Sequence, residues 1–510
     1  MRLMLATSLL ALQAIMPIAA PAQSLIGRAL QDAQPPASDV VEVWRTLSKR
    51  DVEAAFALVN DNHPGALPEV GDDAFREAFA EAHALALSRA KSVDGYEGYV
   101  ATLQAFMRAL GDHHVWARPL ASISYPDWAG LITSKRGDKW IVTDEDMEPG
   151  ESLLGGQLIS CDRKLIEDLA REQLAGFRAV WSIEAQQIDA APWLFVSERN
   201  PFVTRPTRCQ FMLNGKTREH SLVWHNTKIE DLLPRLRKAG GGGAAGYGVR
   251  QLGDGYWIAL QGLTDRAPAV VTAVRAQAQT LRDAKFVVLD LRGNTGGSSA
   301  YSSEIAMSLF GKSHVQKILK GDPTGQDDAC SYVWRATPDN IRQLKSYPAM
   351  LGPSVGAEQQ AILQKAIAEA DAALASQRAL SGPSDCRKRA LAAANTSSAG
   401  TVKPPIHARV FVLTDHRCFS SCLIATDDFR MLGAMHVGET TDSNTSYAEV
   451  RATVLPSGLA AASTLMAITS GPPQVGPFVP AIKFDGDIAD TAALEHWIAH
   501  LATAAEANAK

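Results

Sequence analysis

The chain has 510 residues, of which 46% are hydrophobic and 21% charged, and its formal net charge is -5. These values are ordinary for a globular protein of about two to four domains and are ample for a large buried core. No basic run or arginine-rich stripe appears, so the charge gives no reason to expect a nucleic acid or an anionic membrane surface as partner. A peptide or a small molecule is the expected partner.

The first residues differ from the rest of the chain. MRLMLATSLLALQAIMPIAAPAQS carries one positive charge ahead of an apolar run and ends in small residues that suit signal-peptidase cleavage. We interpret residues 1–22 as a secretory signal peptide. A membrane anchor is the alternative, but Gln13 and Pro17 interrupt the apolar run, and no later stretch is long enough to span a bilayer. The mature chain is therefore expected in the periplasm or outside the cell.

Cysteine usage agrees with export. All six cysteines, an even number, follow the signal segment, which suits an oxidising compartment. Six cysteines allow about fifteen full connectivities. Their spacing lacks the paired motifs and histidine cluster of a zinc site, so a metal site is not expected. Proximity in the sequence favours three disulfides, namely Cys161 with Cys209, Cys330 with Cys386, and Cys418 with Cys422.

Three regions of the mature chain are distinguished by pattern. Residues 36–120 are predicted to be helical, since FREAFAEAHALALSRA and YEGYVATLQAFMRAL carry apolar residues at helical spacing. Residues 121–228 have short apolar runs separated by turn signals, which predicts a small β-rich module. The glycine run AGGGGAAGYG then indicates a linker or a flexible loop, because glycine leaves the backbone free and has no side chain to pack.

The third region, residues 245–505, alternates strand and helix patterns. YWIALQGL, FVVLDLRG, RVFVLTD and AMHVGE are apolar runs of the buried-strand type. They alternate with the helical patterns AVVTAVRAQAQTLRDA, SSEIAMSLFG and SCLIATDDFRMLG, so an α/β core is predicted. Residues 320–404 form an insertion in this core, with the helical stretch AEQQAILQKAIAEADAALASQRAL. The insertion is compatible with a lid over the site and equally with a surface decoration.

Two motifs of the core resemble a known family in sequence and in order. FVVLDLRGNTGGSSAYSSEIAMSLF and RVFVLTDHRCFSSCLIATDDFRMLGAMHVGETT resemble the catalytic core of the tail-specific, or C-terminal processing, serine peptidases and their tricorn-type relatives. The resemblance implies a mixed-sheet α/β core of the ClpP/crotonase type. It extends outward, since residues 121–228 look like the family's PDZ-like module and LGDHHVWARP looks like its D-x-H segment.

The resemblance assigns the nucleophile to Ser420. A serine directly after a buried strand and at the first turn of a helix lies near unpaired N–H groups and the positive end of the helix dipole, which stabilise a developing oxyanion. The N–H of Ser421 is one expected donor, and Gly296 or Gly297 supplies the second, with Gly297 preferred. The alternative is that Ser420 or Ser421 merely caps the helix. A thiol nucleophile from the flanking cysteines is less favoured than a disulfide.

The base is expected to be a histidine. The tail-specific peptidases carry a lysine a few residues after VGE-T, but this chain has Asn444 there, and no lysine occurs between Arg417 and Ile482. Tricorn-type relatives use a histidine from an earlier segment, and aligning the aspartate of GDHHVWARP with the family makes His114 the base. An imidazole pKa near ~6.5 suits proton transfer at neutral pH. His416 is the second candidate.

A third group should orient the imidazole, and several polar side chains qualify. Asp290 and Arg292 are expected instead to hold the glycine loop in shape through buried charge-assisted bonds. The candidates for the orienting group are Glu439, Asp442, Ser443 and Glu449.

Two functions of different class follow. The first is an exported serine peptidase that cleaves peptide bonds of polypeptide substrates without a metal or an organic cofactor. The second is a non-catalytic peptide-binding or scaffold protein that retains the peptidase fold. A PDZ-like module would recruit a polypeptide tail by adding it as a strand to an open sheet edge, unless the module only packs against the core.

Overall fold

The computed structural model describes residues 38–148, 150–241, 245–320, 332–351, 357–386, 406–469 and 476–508. The predicted signal segment, residues 1–22, lies outside them. Contacts group the described chain into two compact units. The helix–sheet unit comprises the described part of Ala11–Gly240 together with Val450–Met466, and the α/β unit comprises the described parts of Gly241–Glu449 and Ala467–Lys510. Within the described ranges, no helix is both long enough and apolar enough to cross a membrane.

The helix–sheet unit begins with three helices, which cover the stretches where apolar residues recur at helical spacing. Asp72 caps the second of them by accepting the N–H of Phe75, which satisfies one of the donors that a helix start leaves unpaired. Phe56 stacks on Phe79 between the first two helices. The bounds are α1 Ser38–Asn62, α2 Asp73–Ala90 and α3 Tyr96–Arg108, with 3-10 turns at Pro64–Ala66 and Pro68–Val70.

The rest of this unit is a small, mainly antiparallel structure. Its larger sheet has the order β3-β4-β5-β8-β9, with β6 beside β5, and β2 lies between β10 and β7 in a second sheet. Trp140, Leu158 and Phe211 form its buried core. The elements are β1 Ala117–Pro119, β2 Asp127–Trp128, β3 Leu131–Arg136, β4 Lys139–Glu145, β5 Gln157–Cys161, β6 Lys164–Leu165, α4 Ile166–Leu174, α5 Glu184–Ala190, β7 Val196–Ser197, β8 Arg208–Leu213, β9 Lys216–Ser221, β10 His225–Asn226 and α6 Ile229–Ala239, with a 3-10 turn at Ala191–Trp193.

The α/β unit confirms the predicted mixed α/β class. Its first two strands form a hairpin in which Leu252 pairs with Gly255 across a two-residue turn that begins at Gly253, with φ 55°. The elements from here to the end of the described chain are β11 Tyr247–Leu252, β12 Gly255–Leu260, α7 Ala267–Ala276, α8 Ala278–Asp283, β13 Phe286–Asp290, α9 Ser299–Phe310, α10 Lys312–Lys320, β14 Tyr332–Trp334, α11 Pro338–Leu351, α12 Ala357–Ala375, β15 Arg409–Thr414, α13 Ser421–Met431, β16 Met435–Gly438, β17 Tyr447–Val454, β18 Ala460–Thr469, β19 Ile482–Lys483 and α14 Thr491–Asn508. Residues 450–454 of β17 and 460–466 of β18 belong to the helix–sheet unit.

The main sheet of the α/β unit has the order β11-β12-β13-β15-β16-β19. Only the β11–β12 pair is antiparallel, and the other neighbours run parallel. Side chains alternate between the faces of a strand, so Val287 and Leu289 pack toward helices α7, α9 and α13, while Val288 packs toward α14. The carboxyl ends of β13, β15 and β16 therefore meet at one edge of the sheet, which is where ligand sites of parallel sheets form.

A second sheet is centred on β18, which pairs with β1, β14 and β17. Ala117 faces Ala462 within the helix–sheet unit, and Tyr332 faces Thr469 within the α/β unit. Of the predicted insertion 320–404, the described part contains β14, α11 and α12, and α12 covers the helical stretch read from the sequence. Whether the insertion is a lid stays a prediction, as does the PDZ-like nature of residues 121–228.

Disulfide bonds join two of the predicted cysteine pairs. Cys161 and Cys209 lie opposite each other on β5 and β8 and are bonded, as are Cys418 and Cys422. Cys386 is also disulfide-bonded. Its predicted partner, Cys330, lies outside the described residues.

Candidate active site

Ser420 lies in the turn between β15 and α13 with an unusual backbone. Its φ is 59° and its ψ is -128°, and a positive φ is uncommon for a residue that carries a Cβ. Ser420 occupies the N-cap position of α13, but its side chain makes no capping hydrogen bond. This argues against the alternative in which Ser420 serves only as the helix cap. The neighbouring Ser421 uses its hydroxyl to donate to the carbonyl of Gly297 at 2.6 Å.

The glycine loop after β13 approaches this turn to contact distance. Gly296 has a φ of 102°, and a Cβ built on it would lie 2.7 Å from the Cβ of Ser420 and 2.9 Å from the nitrogen of Ser421. At Gly297, with φ 129°, a Cβ would lie 2.0 Å from the carbonyl oxygen of Leu263. Both positions therefore require glycine, and the sequence GNTGG is explained by close packing as well as by backbone conformation.

The backbone N–H groups of the two loops differ in whether they already donate a hydrogen bond within the protein. The N–H of Gly296 already donates to Oδ1 of Asn294 at 2.9 Å, inside its own loop. Among the residues that the structure describes, none accepts a hydrogen bond from the N–H of Gly297 or of Ser421. The geometry therefore favours Gly297 over Gly296 as the second oxyanion donor.

His114 is held by an aspartate two residues before it. Its Nδ1 lies 2.8 Å from Oδ1 of Asp112, which also accepts the backbone N–H of His114 at 2.8 Å, and Asp112 is 3% exposed. With the proton on Nδ1 facing the carboxylate, Nε2 is the nitrogen that accepts a proton. Asp112 was not among the predicted orienting groups. The D-x-H spacing was the signal that could have identified it.

His416, the second candidate base, has a carboxylate partner of its own. Its Nδ1 lies 2.7 Å from Oε2 of Glu439, and its backbone N–H donates to the same oxygen at 3.1 Å. Two other predicted orienting groups shape the following loop. Asp442 accepts the N–H of Ser443 at 2.8 Å and donates its own N–H to the carbonyl of Cys418 at 3.1 Å.

Asn444, at the position of the family's lysine, supports the backbone of Ser420. Its Oδ1 accepts the N–H of Ser420 at 3.2 Å, and its Nδ2 reaches the carbonyl of Ser420 at 3.5 Å. An amide cannot act as a base near neutral pH. Sequence reasoning identified Asn444 only as a missing lysine, because the contact depends on how the two loops fold together.

The predicted charge pair at the glycine loop is confirmed. The guanidinium of Arg292 donates to both carboxylate oxygens of Asp290, through Nε at 2.9 Å and Nη2 at 2.7 Å. Trp257 adds an indole N–H at 3.0 Å, and Arg292 also donates to the carbonyl of Ile488 at 2.7 Å. Both charged side chains are almost fully buried. Such a complete set of partners offsets the desolvation cost of the two charges.

The disulfide between Cys418 and Cys422 encloses Ser420 and Ser421 in one short ring. Both cysteines are buried, and as disulfide partners neither supplies a thiolate nucleophile. In the described part of the chain, no group of three or more His, Cys, Asp or Glu side chains is placed to hold a metal ion.

Comparison with known proteins defines the class. Residues 258–471 match the model described as Peptidase family S41. This segment is thus similar to family S41 peptidases, and the resemblance to the tail-specific serine peptidases is confirmed. The chain is accordingly a serine-type peptidase, a hydrolase whose substrates are peptides. No curated protein matches it.

Solved structures show the same fold at low sequence identity. Mature CPAF in complex with lactacystin is 12% identical with a TM-score of 0.55, over 90% of this chain and 99% of that chain. Mature CPAF is also 12% identical, with a TM-score of 0.53 over 89% of this chain and 96% of that chain. The tricorn protease, at 9% identity, has a TM-score of 0.34 over 90% of this chain and 37% of that chain. At 12% identity, the likeness to the two CPAF structures shows the fold alone.

Proposed function

We propose that the chain is an exported serine peptidase that cleaves peptide bonds of polypeptide substrates, with Ser420 as its nucleophile. The observation that carries the proposal is the backbone of Ser420, which has a left-handed φ at a strand-to-helix turn and lies against Gly296. Strain of this kind costs about 1–3 kcal/mol and is typical of functional positions. A serine that served only as a helix cap would need neither the strain nor the glycine.

The proposed oxyanion hole consists of the N–H groups of Ser421 and Gly297. Both donors lack a hydrogen-bond acceptor among the described residues, so a substrate oxygen can take that place. Ser421 also begins α13, where the helix dipole favours negative charge. One such donor is worth about 3 kcal/mol of transition-state stabilisation.

The proposed base is His114, with Asp112 as its orienting group. Nε2 would take the proton of the Ser420 hydroxyl as the oxygen attacks the substrate carbonyl, and it would return the proton to the leaving amine. The carboxylate of Asp112 fixes the tautomer and stabilises the imidazolium that forms. Asn444 removes the lysine alternative, which leaves His416 with Glu439 as the competing base.

Export and substrate recruitment complete the proposal. The disulfides Cys161–Cys209 and Cys418–Cys422 support an oxidising location, in the periplasm or outside the cell. We assign residues 1–22 to a signal peptide, 36–120 to an N-terminal helical region, 121–228 to a PDZ-like module and 245–505 to the peptidase core with its insertion 320–404. In this scheme an open edge of the sheet β3-β4-β5-β8-β9 would receive the extended tail of a polypeptide.

The test combines turnover of a denatured protein with labelling by a fluorophosphonate, which reacts with activated serines. Ser420→Ala should abolish both turnover and labelling, whereas His114→Ala should lower both by ~10³-fold or more. His225→Ala, on an exposed histidine of the same helix–sheet unit, should behave as the wild type. His416→Ala should keep most of the labelling rate.

Each outcome supports or excludes one part of the proposal. If His416→Ala loses labelling and His114→Ala keeps it, the base is His416. If Ser420→Ala still turns over substrate, the nucleophile assignment is wrong. A wild-type chain that is folded but neither labels nor cleaves would favour the peptide-binding alternative.

A further inference from the structure

Asp415 is a buried carboxylate at the carboxyl end of β15 that the proposed chemistry leaves without a role. It is fully buried, and it lies directly after the last residue of the strand, five residues before Ser420. One carboxylate oxygen, Oδ2, accepts the backbone N–H of Gly293 at 2.8 Å. The other, Oδ1, accepts the backbone N–H of Arg417 at 3.1 Å. A single side chain thus binds the first glycine of the glycine loop and the turn that leads to Ser420.

Two further hydrogen bonds between described residues join the same two loops, and both are made by uncharged groups. Phe419 donates its N–H to the carbonyl of Asn294 at 3.3 Å, and the hydroxyl of Ser421 donates to the carbonyl of Gly297. Hydrogen bonds to an ionised acceptor are roughly twice as strong as neutral ones. Asp415 therefore provides a stronger tie than either of these bonds between the loop that carries Gly297 and the turn that carries Ser420 and Ser421.

We propose that Asp415 is a positioning residue whose ionised carboxylate holds the glycine loop against the nucleophile turn and so fixes the spacing of the two oxyanion donors. This inference rests on the proposed function, because it concerns the N–H groups of Gly297 and Ser421. Asp415 contacts no substrate in this role. Its effect reaches the reaction through Gly293 and Arg417, whose backbone positions it determines.

The role depends on the charge of Asp415. A carboxylate accepts both N–H groups, whereas a protonated carboxyl has one oxygen that donates instead, so one tie is lost. The pKa of Asp415 is raised to about 6, mainly by burial and also by the nearby Glu439, with His416, Arg417 and the N–H of Gly293 acting in the opposite direction. Asp290 and Arg292 at the end of β13 bind each other. Positioning should therefore be present above about pH 6 and be lost as the pH falls through that value.

The experiment compares kcat and KM for a peptide substrate between about pH 5 and pH 9 in four chains. These are the wild type, Asp415→Asn, Asp490→Asn and Ser420→Ala. Asparagine has the shape of aspartate but only one accepting oxygen. Asp490 is the matched control, because it is an exposed carboxylate of the α/β unit that also accepts a backbone N–H, that of Ala493.

We expect Asp415→Asn to lower kcat at pH 8 by roughly tenfold or more with KM little changed, since the lost interaction matters in the transition state. As the pH falls below about 6, log kcat of the wild type should at first decrease with a slope clearly greater than one, because Asp415 takes up a proton in addition to the base. The slope should be near one in Asp415→Asn. Asp490→Asn should match the wild type in kcat and in slope.

A wild-type kcat in Asp415→Asn, or a wild-type slope near one, overturns the inference. The second of these needs no variant, so the inference stays testable if Asp415→Asn does not fold. Turnover by Ser420→Ala would instead show that the proposed function is wrong. Inactive Ser420→Ala together with fully active Asp415→Asn would refute the role of Asp415 alone.

Discussion

At the scale of single residues, the site is built around a serine in a conformation that serines avoid. The neighbours of Ser420 compensate for this conformation. Asn444 binds both its N–H and its carbonyl, and Gly296 leaves room for its Cβ and for the N–H of Ser421. The chemistry of Ser420 therefore depends on side chains that take no part in proton transfer, and changing them should damage activity more than it damages the fold.

Replacement of Gly296 by alanine tests this dependence. The new Cβ would lie 2.7 Å from the Cβ of Ser420, on a backbone with φ 102° that alanine rarely adopts. We expect a loss of stability of about 2 kcal/mol and a loss of kcat of roughly a hundredfold. Gly253→Ala is the control, because Gly253 also has a positive φ, 55°, but a Cβ there meets nothing within 4 Å.

Urea unfolding and peptide turnover measure the two effects separately. The control should lose less stability, because its Cβ meets no neighbour, and it should lose little activity. Equal activity losses in both variants would mean that backbone strain, and not the approach to Ser420, is what Gly296 provides.

At the scale of elements, the nucleophile turn is defined by a parallel strand, a short disulfide ring and a helix. β15 pairs with β13 and β16 on either side, so the turn after it lies between the loops that follow those two strands. Cys418 and Cys422 then limit how the chain can turn from β15 into α13. Because this disulfide closes so short a segment, it constrains local geometry more than it constrains the unfolded chain.

Removal of the two disulfides, one at a time, should lower stability and activity to different extents. The sequence separations are 4 residues for Cys418–Cys422 and 48 residues for Cys161–Cys209. The chain-entropy relation gives about 2 kcal/mol for the shorter loop and about 4 kcal/mol for the longer one. We therefore expect Cys418→Ala with Cys422→Ala to lose more activity and less stability than Cys161→Ala with Cys209→Ala.

Thermal unfolding and fluorophosphonate labelling of the two double variants, both measured at pH 8, provide the comparison. If the loss of activity is in proportion to the loss of stability in both double variants, the disulfide ring around Ser420 has no special role in activity.

At the scale of the whole molecule, the buried titratable groups of the α/β unit make stability depend on pH in opposing ways. Burial is the main cause that lowers the pKa of His436 to about 4, and burial raises the pKa of Asp415 to about 6. As the pH falls from about 6.5 to 4, the unfolded chain gains a proton at His436 that the folded chain refuses, so stability falls. Over nearly the same range the folded chain gains a proton at Asp415 that the unfolded chain does not hold, so stability rises.

Single replacements should expose each contribution. Without Asp415, in Asp415→Asn, the free energy of unfolding should be lower at pH 5 than at pH 7, because only the effect of His436 remains. In His436→Gln the difference should have the opposite sign. Each contribution amounts to up to about 3 kcal/mol. Urea unfolding at pH 5 and at pH 7 measures the difference in the free energy of unfolding. A difference of the same sign in the two variants would contradict the pKa shifts of Asp415 and His436.

Much of the local structure could be read from the sequence. Residues 409–414 of RVFVLTD form β15, and SCLIATDDFRM forms α13, because a buried parallel strand and a helix have distinct apolar patterns. The pairing of Cys161 with Cys209 and of Cys418 with Cys422 followed from proximity in the sequence. The family motifs gave the peptidase class and proposed Ser420.

The contacts that shape the site could not be read in this way. Asp415 meets Gly293 across 122 positions of sequence, and Ser421 meets Gly297 across 124. In the sequence Asn444 is only the absence of the family's lysine, and its bond to the N–H of Ser420 appears only in the tertiary structure. The partner of His114, Asp112, lies only two residues away, but the spacing alone does not show that its carboxylate turns back onto the imidazole.

The sequence by itself thus determined the α/β class, the order of strands and helices, the peptidase motifs and two disulfides, because each depends on a local period, a short spacing or a recognisable motif. Only the tertiary structure decided the φ of Ser420, the hydrogen bond already made by the N–H of Gly296, and the hydrogen bonds made by Asp415 and Asn444. These depend on which strands are neighbours in the sheet, and strand order brings together loops whose residues carry no common pattern in the sequence.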